Sequence, residues 1–385
     1  MIAGSVVRSS VLVGLVAGCA SGLTGPIPPP PPPPPSPQPW QYQAPPNLGD
    51  GLGGAAATAR GVDTARISSL VRSINSGATP NIHAVLIYRG GDLVLEEYFA
   101  GTMRWDNRFR IFGRDSLHDI YSVSKSITGA AIGMSIAAGT IASVDAKVAP
   151  TFQDYVAQTT TDLSAMTVRH LLTMSAGLAW DELSTDYTDP ANSNRLMDQS
   201  PDPLAYLVTR PRAAAPGSRF AYNTGLTHWL GEYVKRRNNQ SLDQYVDARL
   251  FNALGIDRFF WYRFPTGLIH AGGGLHLRPR DMMKFGVLYR NFGRWQGSRV
   301  VDSTWVVQST TRQAPGAAYG FQWWIDSWTV NGRTVSGYSA QGFAGQFIFV
   351  IPALDVVVVF TGNNAGQTQF LPIQLVQNII LPALN

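Results

Sequence analysis

A serine and a lysine three residues apart give this chain the spacing of a nucleophile and its amine base. Ser122 and Lys125 lie in the segment Tyr-Ser-Val-Ser-Lys-Ser at residues 121–126. Residues three apart share one face of a helix, so the Lys125 amine can reach the Ser122 hydroxyl. A serine hydroxyl is a weak nucleophile until a neighbouring base takes its proton. The pair therefore predicts acyl-transfer chemistry with Ser122 as the nucleophile.

Lysine is scarce in this chain, which makes its presence at position 125 more informative. The chain has 30 lysines and arginines, and 30 minus the four lysines leaves 26 arginines. Arginine cannot act as the base because its guanidinium does not lose its proton in proteins. The competing interpretation is a helix that carries Lys125 as a solvated surface charge. The four lysines are Lys125, Lys147, Lys235 and Lys284.

Tyr222 is the candidate for the third group that moves protons in such a site. It lies in Phe-Ala-Tyr-Asn-Thr-Gly at residues 220–225, after the turn signal Pro-Gly and before a predicted helix. We expect a nearby Lys125 cation to stabilise the Tyr222 phenolate and to lower its pKa from the usual value of about 10. The alternative is that Tyr222, one of 14 tyrosines, only packs.

A glycine-bearing segment at residues 339–346 is the candidate oxyanion site. Its sequence is Ser-Ala-Gln-Gly-Phe-Ala-Gly-Gln, directly before a predicted hairpin. Glycines at a strand edge allow a substrate carbonyl to approach backbone N–H groups. Structural glycines at the entry of a strand would give the same pattern.

The elements around these segments indicate one antiparallel sheet assembled from both ends of the folded chain. Two β-rich runs, residues 82–87 and 93–99, are joined by Arg-Gly-Gly-Asp and predict a hairpin. A second hairpin is predicted from residues 347–350 and 356–360. Residues 122–138 are small and apolar and predict a buried helix with Ser122 at its start. Further helical segments are predicted at residues 168–174, 203–208, 227–237, 280–291 and about 371–384.

This order predicts an α/β fold, in detail an α+β sandwich with helices flanking the sheet and an inserted, mainly helical domain. We place the whole domain at residues 65–385. Its α/β part is expected at about 65–145 and 275–385, and its helical part at about 146–274. The candidate site is expected between the sheet and the helical part, since pockets favour such junctions.

The N-terminal residues predict export and lipid anchoring. Residues 1–19 combine Arg8, a short apolar stretch and Val-Ala-Gly-Cys, which resembles the lipobox of bacterial lipoproteins. The apolar stretch is too short to span a bilayer. Acylation of Cys19 would anchor the protein in the bacterial envelope, at the outer membrane or on the periplasmic side, whereas the alternative is an ordinary buried cysteine. A linker is predicted at residues 20–64, whose proline run forms an extended spacer.

Composition argues against several kinds of partner. The chain has 385 residues, 45% hydrophobic and 14% charged, and can bury a sizeable core. Its net charge of +5 is modest, and the sequence has no lysine-rich or arginine-rich run that could bind along a phosphate backbone. We therefore expect no nucleic-acid partner. The six histidines lack His-Glu-x-x-His or another ligand spacing, so we expect neither a metal nor another cofactor. The lipid anchor is the only membrane contact expected.

Five segments occur in the order seen in the serine β-lactamase and penicillin-binding superfamily. More narrowly, the chain resembles class C β-lactamase-related hydrolases of the 6-aminohexanoate-dimer hydrolase group, which includes related esterases. The resemblance runs from about residue 82 to the C-terminus. The segments are Ser-x-x-Lys at 122–125, Phe-x-Tyr-x-Thr-Gly at 220–225, Gly-Gly-Gly-Leu at 272–275, Tyr-Gly-Phe-Gln-Trp-Trp at 319–324 and Gly-Gln-Phe-Ile-Phe-Val at 345–350.

The resemblance implies hydrolysis of a small-molecule amide or ester through an acyl-enzyme, in a fold with an α/β and a helical domain. It implies Ser122 as the nucleophile and Lys125 and Tyr222 as the proton-transfer pair. It also implies an oxyanion hole from the backbone N–H groups of Ser122 and Phe343. The residues that it assigns to substrate binding are Tyr187, in a segment similar to one whose tyrosine touches the substrate amide, and Thr224, Ala340 and Gly342.

Two departures from the family pattern bear on the substrate. The chain has Tyr-Asn-Thr at residues 222–224 instead of Tyr-x-Asn, and Ala-Gln-Gly at 340–342 instead of Lys-Thr-Gly. The missing lysine removes a cation that would hold a β-lactam carboxylate. We therefore expect inefficient penicillin hydrolysis and favour amides or esters without that carboxylate. Specificity is expected to lie in loops such as residues 179–201.

Three other hypotheses are weighed against this one. The first is β-lactamase or D,D-peptidase activity on cell-wall peptides. The second is a noncatalytic, anchored binding or sensor relative, although all three catalytic residue types are present. The third is an α/β-hydrolase, but the nearest Gly-x-Ser-x-Gly at 337–341 lacks its last glycine and no histidine follows His276.

Overall fold

Strands from both ends of the folded chain pair in one sheet of the structure. That structure, a computed structural model, describes residues 40–156, 163–330 and 332–384. Its strands are β1 (Gly53–Gly54), β2 (Ile82–Arg89), β3 (Asp92–Tyr98), β4 (Ala100–Met103), β5 (Arg108–Ile111), β6 (His118–Asp119), β7 (Phe260–Trp261), β8 (Leu275–Leu277), β9 (Arg294–Trp295), β10 (Ser298–Arg299), β11 (Trp324–Val330), β12 (Arg333–Gly342), β13 (Gln346–Ile351) and β14 (Val356–Gly362).

The main sheet has seven strands in the order β1-β3-β2-β14-β13-β12-β11. Its neighbours are antiparallel except for the short β1-β3 pair. In its centre β2 pairs with β14, with Arg89 opposite Val356 and Ile82 opposite Gly362. The predicted fold class, a sheet from both chain ends flanked by helices, is confirmed.

The helices cover both faces of this sheet. They are α1 (Thr64–Asn75), α2 (Val123–Ala137), α3 (Gln153–Val156), α4 (Val168–Leu172), α5 (Ser193–Asp198), α6 (Pro203–Val208), α7 (Thr224–Asn238), α8 (Leu242–Val246), α9 (Asn252–Leu254), α10 (Pro279–Arg290), α11 (Ser303–Ser309) and α12 (Leu371–Leu375).

Alternate residues of β14 enter two separate cores. Val357 and Val359 belong to the larger core, which contains α2, α7 and α10. Val356 and Val358 belong to the smaller core, which contains α1 and the C-terminal turns. This alternation follows from the two-residue period of a strand, and it explains why β14 is apolar at successive positions. The larger core lies between the sheet and α2, and so places α2 against the sheet.

The sequence predicts one helix at residues 371–384, but the structure contains three short helical pieces there. After α12 the chain forms a π-helix at Val376–Ile380 and a 3-10 turn at Leu381–Ala383. Proline at the second residue of α12 and at position 382 suits the start of the first and third pieces, because proline lacks the N–H that a continuing helix needs.

The predicted linker ends earlier than the sequence suggests. The sequence predicts a linker at residues 20–64, but Tyr42 donates a hydrogen bond to the Val94 carbonyl (2.9 Å) and accepts one from the Ala57 amide (2.7 Å). The chain from Trp40 onwards belongs to one compact unit. The predicted signal segment at residues 1–19, Cys19 and the linker up to residue 39 lie outside the described residues. No helix within the described ranges is long and apolar enough to cross a membrane.

Candidate active site

The turn before α2 presents the Ser122 side chain to a cavity. Tyr121 has a left-handed backbone with φ of 45°, and its amide donates a 2.9 Å hydrogen bond to Asp119 Oδ1. A non-glycine residue in this region costs about 1–3 kcal/mol, and such residues cluster at functional sites. Ser122 is the N-cap of α2, yet its hydroxyl forms no capping hydrogen bond. The hydroxyl is therefore not committed to the end of the helix and can act on a ligand.

Lys125 lies one turn further along α2 and is buried, with 1% of its surface exposed. Its Nζ is 2.9 Å from Ser122 Oγ, 2.9 Å from Thr224 Oγ1 and 2.7 Å from the Gly272 carbonyl oxygen. A Cβ on Gly272 would approach Thr224 Cγ2 to 2.7 Å, so glycine permits this close contact. Burial lowers the pKa of Lys125 to about 8, against the opposing charges of Glu182 and Asp198.

The acceptors around Lys125 fix the direction of its lone pair. The Gly272 carbonyl can only accept a hydrogen bond. The Thr224 hydroxyl donates its one hydrogen to Glu182 Oε1 (2.5 Å), so it must accept from Lys125. A neutral amine has two hydrogens, and both are thereby used. Its lone pair therefore faces Ser122 Oγ, which is the geometry that a base needs.

Tyr222 is the third residue of the candidate catalytic group, beside Ser122 and Lys125. The Ser122 side chain lies close enough to the Tyr222 hydroxyl to act on its pKa, and Lys125 Nζ lies 4.9 Å from the centroid of the Tyr222 ring. The ring also stacks on Trp324, with centroids 5.7 Å apart. The sequence predicts that Lys125 lowers the pKa of Tyr222, but this is wrong. Burial raises that pKa, as does the nearby Glu182 carboxylate, so Tyr222 is a neutral phenol that can donate a proton.

Glu182 is a site residue that sequence reasoning missed. It is buried, and Oε2 accepts hydrogen bonds from the Thr224 amide (2.8 Å) and from Trp180 Nε1 (2.9 Å). Oε1 accepts from the Tyr187 hydroxyl (3.0 Å) as well as from Thr224. Residues 179–201 are predicted as a specificity loop, but nothing in their sequence separates Glu182 from the neighbouring acids. Only the folded loop reveals its place beside Lys125.

The predicted oxyanion segment lies against the turn that carries the nucleophile. A Cβ on Gly342 would be 2.3 Å from the Ile120 carbonyl oxygen, so only glycine allows β12 to approach this closely. The Phe343 ring meets Tyr121 and Tyr187 edge-on, at 5.7 and 5.2 Å between centroids. The amides after Ser122 donate to carbonyls three residues earlier, whereas no acceptor among the described residues takes the Ser122 amide. The backbone amides of Ser122 and Phe343 are thus the candidate donors to the oxyanion that forms during acyl transfer.

The cavity in front of Ser122 has a volume of about 1120 Å³, and its lining combines seven aromatic side chains with polar and charged ones. Tyr187, Thr224 and Phe343 contribute to its wall, as the sequence predicts for residues near the substrate. Ala340 and Gly342, which are also assigned to substrate binding from the sequence, are not among the lining residues. Ala340 is buried within β12, where it pairs with Ile348. The aromatic lining residues are Trp105, Tyr121, Tyr187, Phe260, Tyr262, Phe264 and Phe343.

Comparison with known proteins agrees with this geometry. The model of the Beta-lactamase family matches residues 70–375, most of the chain. A 6-aminohexanoate-dimer hydrolase of Paenarthrobacter ureafaciens is 27% identical over 273 residues, and the match covers 63% of each chain. The chain therefore spans less than two thirds of the length of this relative.

Two solved structures share the fold. A candidate 6-aminohexanoate-dimer hydrolase from Bacillus anthracis superposes with a TM-score of 0.65 at 21% identity, covering 79% of this chain and 80% of that one. EstCE1, a hydrolase with promiscuous acyltransferase activity, superposes with a TM-score of 0.59 at 16% identity, covering 81% of this chain and 97% of that one.

Proposed function

This chain belongs to the beta-lactamase family, and from that membership we propose that it is a serine hydrolase that cleaves amide or ester bonds through an acyl-enzyme. One observation carries the proposal: Lys125 Nζ lies 2.9 Å from Ser122 Oγ and also contacts Thr224 Oγ1 and the Gly272 carbonyl. When the amine is neutral, the last two acceptors take both of its hydrogens, and its lone pair then faces Ser122 Oγ. The activity of the Paenarthrobacter relative and the fold shared with EstCE1 agree with this reaction class.

The acylation step uses the neutral form of Lys125. Ser122 Oγ attacks the substrate carbonyl carbon while its proton moves to Lys125 Nζ. The electron pair of the C=O bond moves to the oxygen, which the amides of Ser122 and Phe343 stabilise. When the intermediate collapses, the bond to the leaving group breaks, and the neutral Tyr222 hydroxyl gives that group its proton.

Deacylation repeats these transfers with water in place of Ser122. Lys125, which holds the proton taken from Ser122, returns one to Tyr222 and is again a neutral base. Water then attacks the ester of Ser122 and gives its proton to Lys125. The acyl group leaves as an acid, and Ser122 Oγ takes back its proton.

The cavity wall favours an uncharged, apolar substrate. Seven aromatic side chains line it, and aromatic rings bind apolar groups through a large contact area. The strand position that carries lysine in β-lactamases is Ala340, which is buried. We therefore propose medium-length esters and linear amides as the substrate class.

A chromogenic ester series tests this proposal. Purified protein is assayed with p-nitrophenyl esters of increasing acyl length and with linear anilides, beside Ser122→Ala. We expect turnover, with kcat/KM rising with acyl length, and at least a 10³-fold loss in the Ser122→Ala variant. Absence of both turnover and burst with every substrate would instead support the noncatalytic alternative.

One observation favours a second candidate, hydrolysis of β-lactams or cell-wall peptides. Arg104 lines the same cavity, and its guanidinium lies 4.9 Å from the centroid of Phe343, next to the candidate oxyanion site. Arginine binds carboxylates well and can replace the missing strand lysine. Nitrocefin turnover that falls at least tenfold in Arg104→Gln, with ester turnover retained, would establish this candidate.

The location of the enzyme is also a proposal, which rests on residues 1–19 alone. We propose that the chain is exported and that Cys19 carries a lipid anchor in the bacterial envelope. Metabolic labelling with a palmitate analogue tests this in the producing cell. We expect label on the wild type and none on Cys19→Ser, and an unlabelled wild type would contradict the anchor.

A further inference from the structure

We propose that Asp198, His228 and His270 form a binding site for a divalent transition-metal ion, with Zn²⁺ as the best match, in the wall of the cavity. One ligand atom of each side chain lies within 4.8 Å of the others. Two imidazoles and one carboxylate are a common ligand set for zinc and related ions. The three residues are distinct from the candidate Ser-Lys-Tyr group, so the metal site does not depend on the hydrolase proposal.

Three different elements supply these ligands, and their sequence spacing therefore gives no metal motif. Asp198 is the last residue of α5, and His228 lies in the second turn of α7. His270 lies in the loop between β7 and β8, two residues before Gly272. The sequence predicts no metal site, because 42 residues separate the two histidines (270 minus 228). Folding brings them together, with ring centroids 4.6 Å apart.

His228 supplies independent evidence, because it is a fully buried polar side chain without a partner. Its exposed fraction is 0%, and neither ring nitrogen has a hydrogen-bond partner among the described residues. Nδ1 of His270 is likewise buried and unpaired there. Leaving a buried polar group unpaired costs about 1–3 kcal/mol, and native proteins rarely do so. An ion held between the two imidazoles would give these nitrogens a partner.

Neighbouring residues already orient the ligands. Asn194 donates a 2.9 Å hydrogen bond to Asp198 Oδ2, while Oδ1 lies 3.6 Å from His270 Nε2. Phe264 stacks on the His270 ring, with centroids 4.9 Å apart. Such outer contacts are typical of metal ligands. Ligand atoms of tetrahedral zinc lie about 3.3 Å apart, so the longest separation in the site, up to 4.8 Å, must contract by about 1.5 Å, which the partly exposed Asp198 side chain allows.

The site opens towards the candidate substrate. Asp198 and His270 both line the cavity that also exposes Ser122. With three protein ligands, the ion keeps a fourth position for water or for an electronegative group of a bound molecule. Lys125 acts on His228 as a nearby positive charge, and the carboxylates of Asp198 and Glu182 act on Lys125 with the opposite sign. These two carboxylates offset the positive charge that Lys125 places beside the proposed ion.

Metal titration of the untagged, full-length protein tests the site. After treatment with a chelator, the protein is titrated with ZnCl₂ in a calorimeter and with CoCl₂ in a visible spectrometer. We expect one saturable ion per chain and a Co²⁺ spectrum of tetrahedral intensity. Asp198→Asn and His270→Gln should each weaken binding at least tenfold. His276→Gln, which changes another histidine of the cavity wall, is the matched control and should bind as the wild type does.

The choice of substituted residues limits the risk that a variant fails to fold. His228 is buried, so its substitution can unfold the chain, whereas the Asp198 side chain is partly exposed and Asp198→Asn is the decisive variant. Every protein in the series carries Cys19, so any thiol binding is common to all. Zn²⁺ should raise the Tm of the wild type and the control, but not of the two variants. A lack of saturable binding, or equal affinity in all four proteins, would overturn the proposal.

Discussion

The Glu182 carboxylate lies 2.5 Å from the Thr224 hydroxyl, and it reaches Lys125 through that single oxygen atom. The hydroxyl cannot donate to both neighbours, so its hydrogen is committed to the carboxylate and its lone pair to the amine. A negative charge thus holds the lone pair of Lys125 towards Ser122. The same charge opposes the loss of the Lys125 proton, because it raises the pKa that burial lowers.

Glu182→Gln removes this charge and should therefore move the pH profile. Without the carboxylate the pKa of Lys125 falls, so the acidic limb of kcat/KM shifts to lower pH. We also expect a loss of about 10- to 100-fold at the plateau, since a hydrogen bond to a charged group is worth about 1.5–3 kcal/mol. Tyr187→Phe is the control, because it removes one donor to Glu182 but keeps the charge. An unmoved limb in Glu182→Gln would contradict this electrostatic role.

The wild-type pH profile should report the Lys125 base. Its pKa is about 8 and only the neutral amine accepts the Ser122 proton, so kcat/KM for an uncharged ester should rise with pH through 8 and then level. Burial raises the pKa of Asp119 to about 7, so protonation of the acceptor for Tyr121 should steepen the fall below pH 7. A flat profile between pH 6.5 and 9.5 would rule out Lys125 as the base.

Tyr222→Phe separates the donor from the base. Because the Tyr222 pKa is raised, the phenol does not titrate near pH 8. Removal of its hydroxyl should therefore leave the acidic limb of the kcat/KM profile at the same pH. The plateau should fall by about 10²- to 10⁴-fold, as for other proton-transfer groups. Turnover of substrates with good leaving groups should fall less than turnover of amides, since a good leaving group departs without receiving a proton. If Tyr222→Phe abolished the acidic limb of the kcat/KM profile, Tyr222 and not Lys125 would be the base.

Gly342→Ala tests how closely the oxyanion strand must approach Ser122. The added Cβ would meet the Ile120 carbonyl oxygen at 2.3 Å, so β12 must move away from the turn. We expect kcat to fall at least tenfold, with a smaller change in KM, because the oxyanion contact forms mainly in the transition state. Gly113→Ala is the matched control, since its Cβ meets nothing within 4 Å. Equal activity of the two variants would argue against this oxyanion position.

Local patterns in the sequence predicted what depends on local spacing. The Ser122–Lys125 contact follows from three residues along one helix, and the two hairpins follow from β-rich runs joined by turn residues. The pKa of Tyr222 did not follow, because it depends on burial and on a carboxylate 40 residues away (222 minus 182). Glu182 itself lies in irregular chain, where neither a two-residue nor a 3.6-residue period marks the inward-facing residue. The cluster around His228 escaped prediction because three elements that are distant in sequence supply its ligands.

The pairing of β2 with β14 sets when the candidate active site can first be complete during synthesis of the chain. Ile82 waits for Gly362, 280 residues later in the chain, before the centre of the sheet closes. The strand with Gly342 reaches β2 through β13 and β14, so the sheet beside the Ser122 helix is complete only when that centre has formed. Contacts between such distant residues form slowly, because a long loop must close first. A nascent chain therefore carries its nucleophile for most of translation without a working oxyanion site, and remains inert until nearly the last strand has emerged.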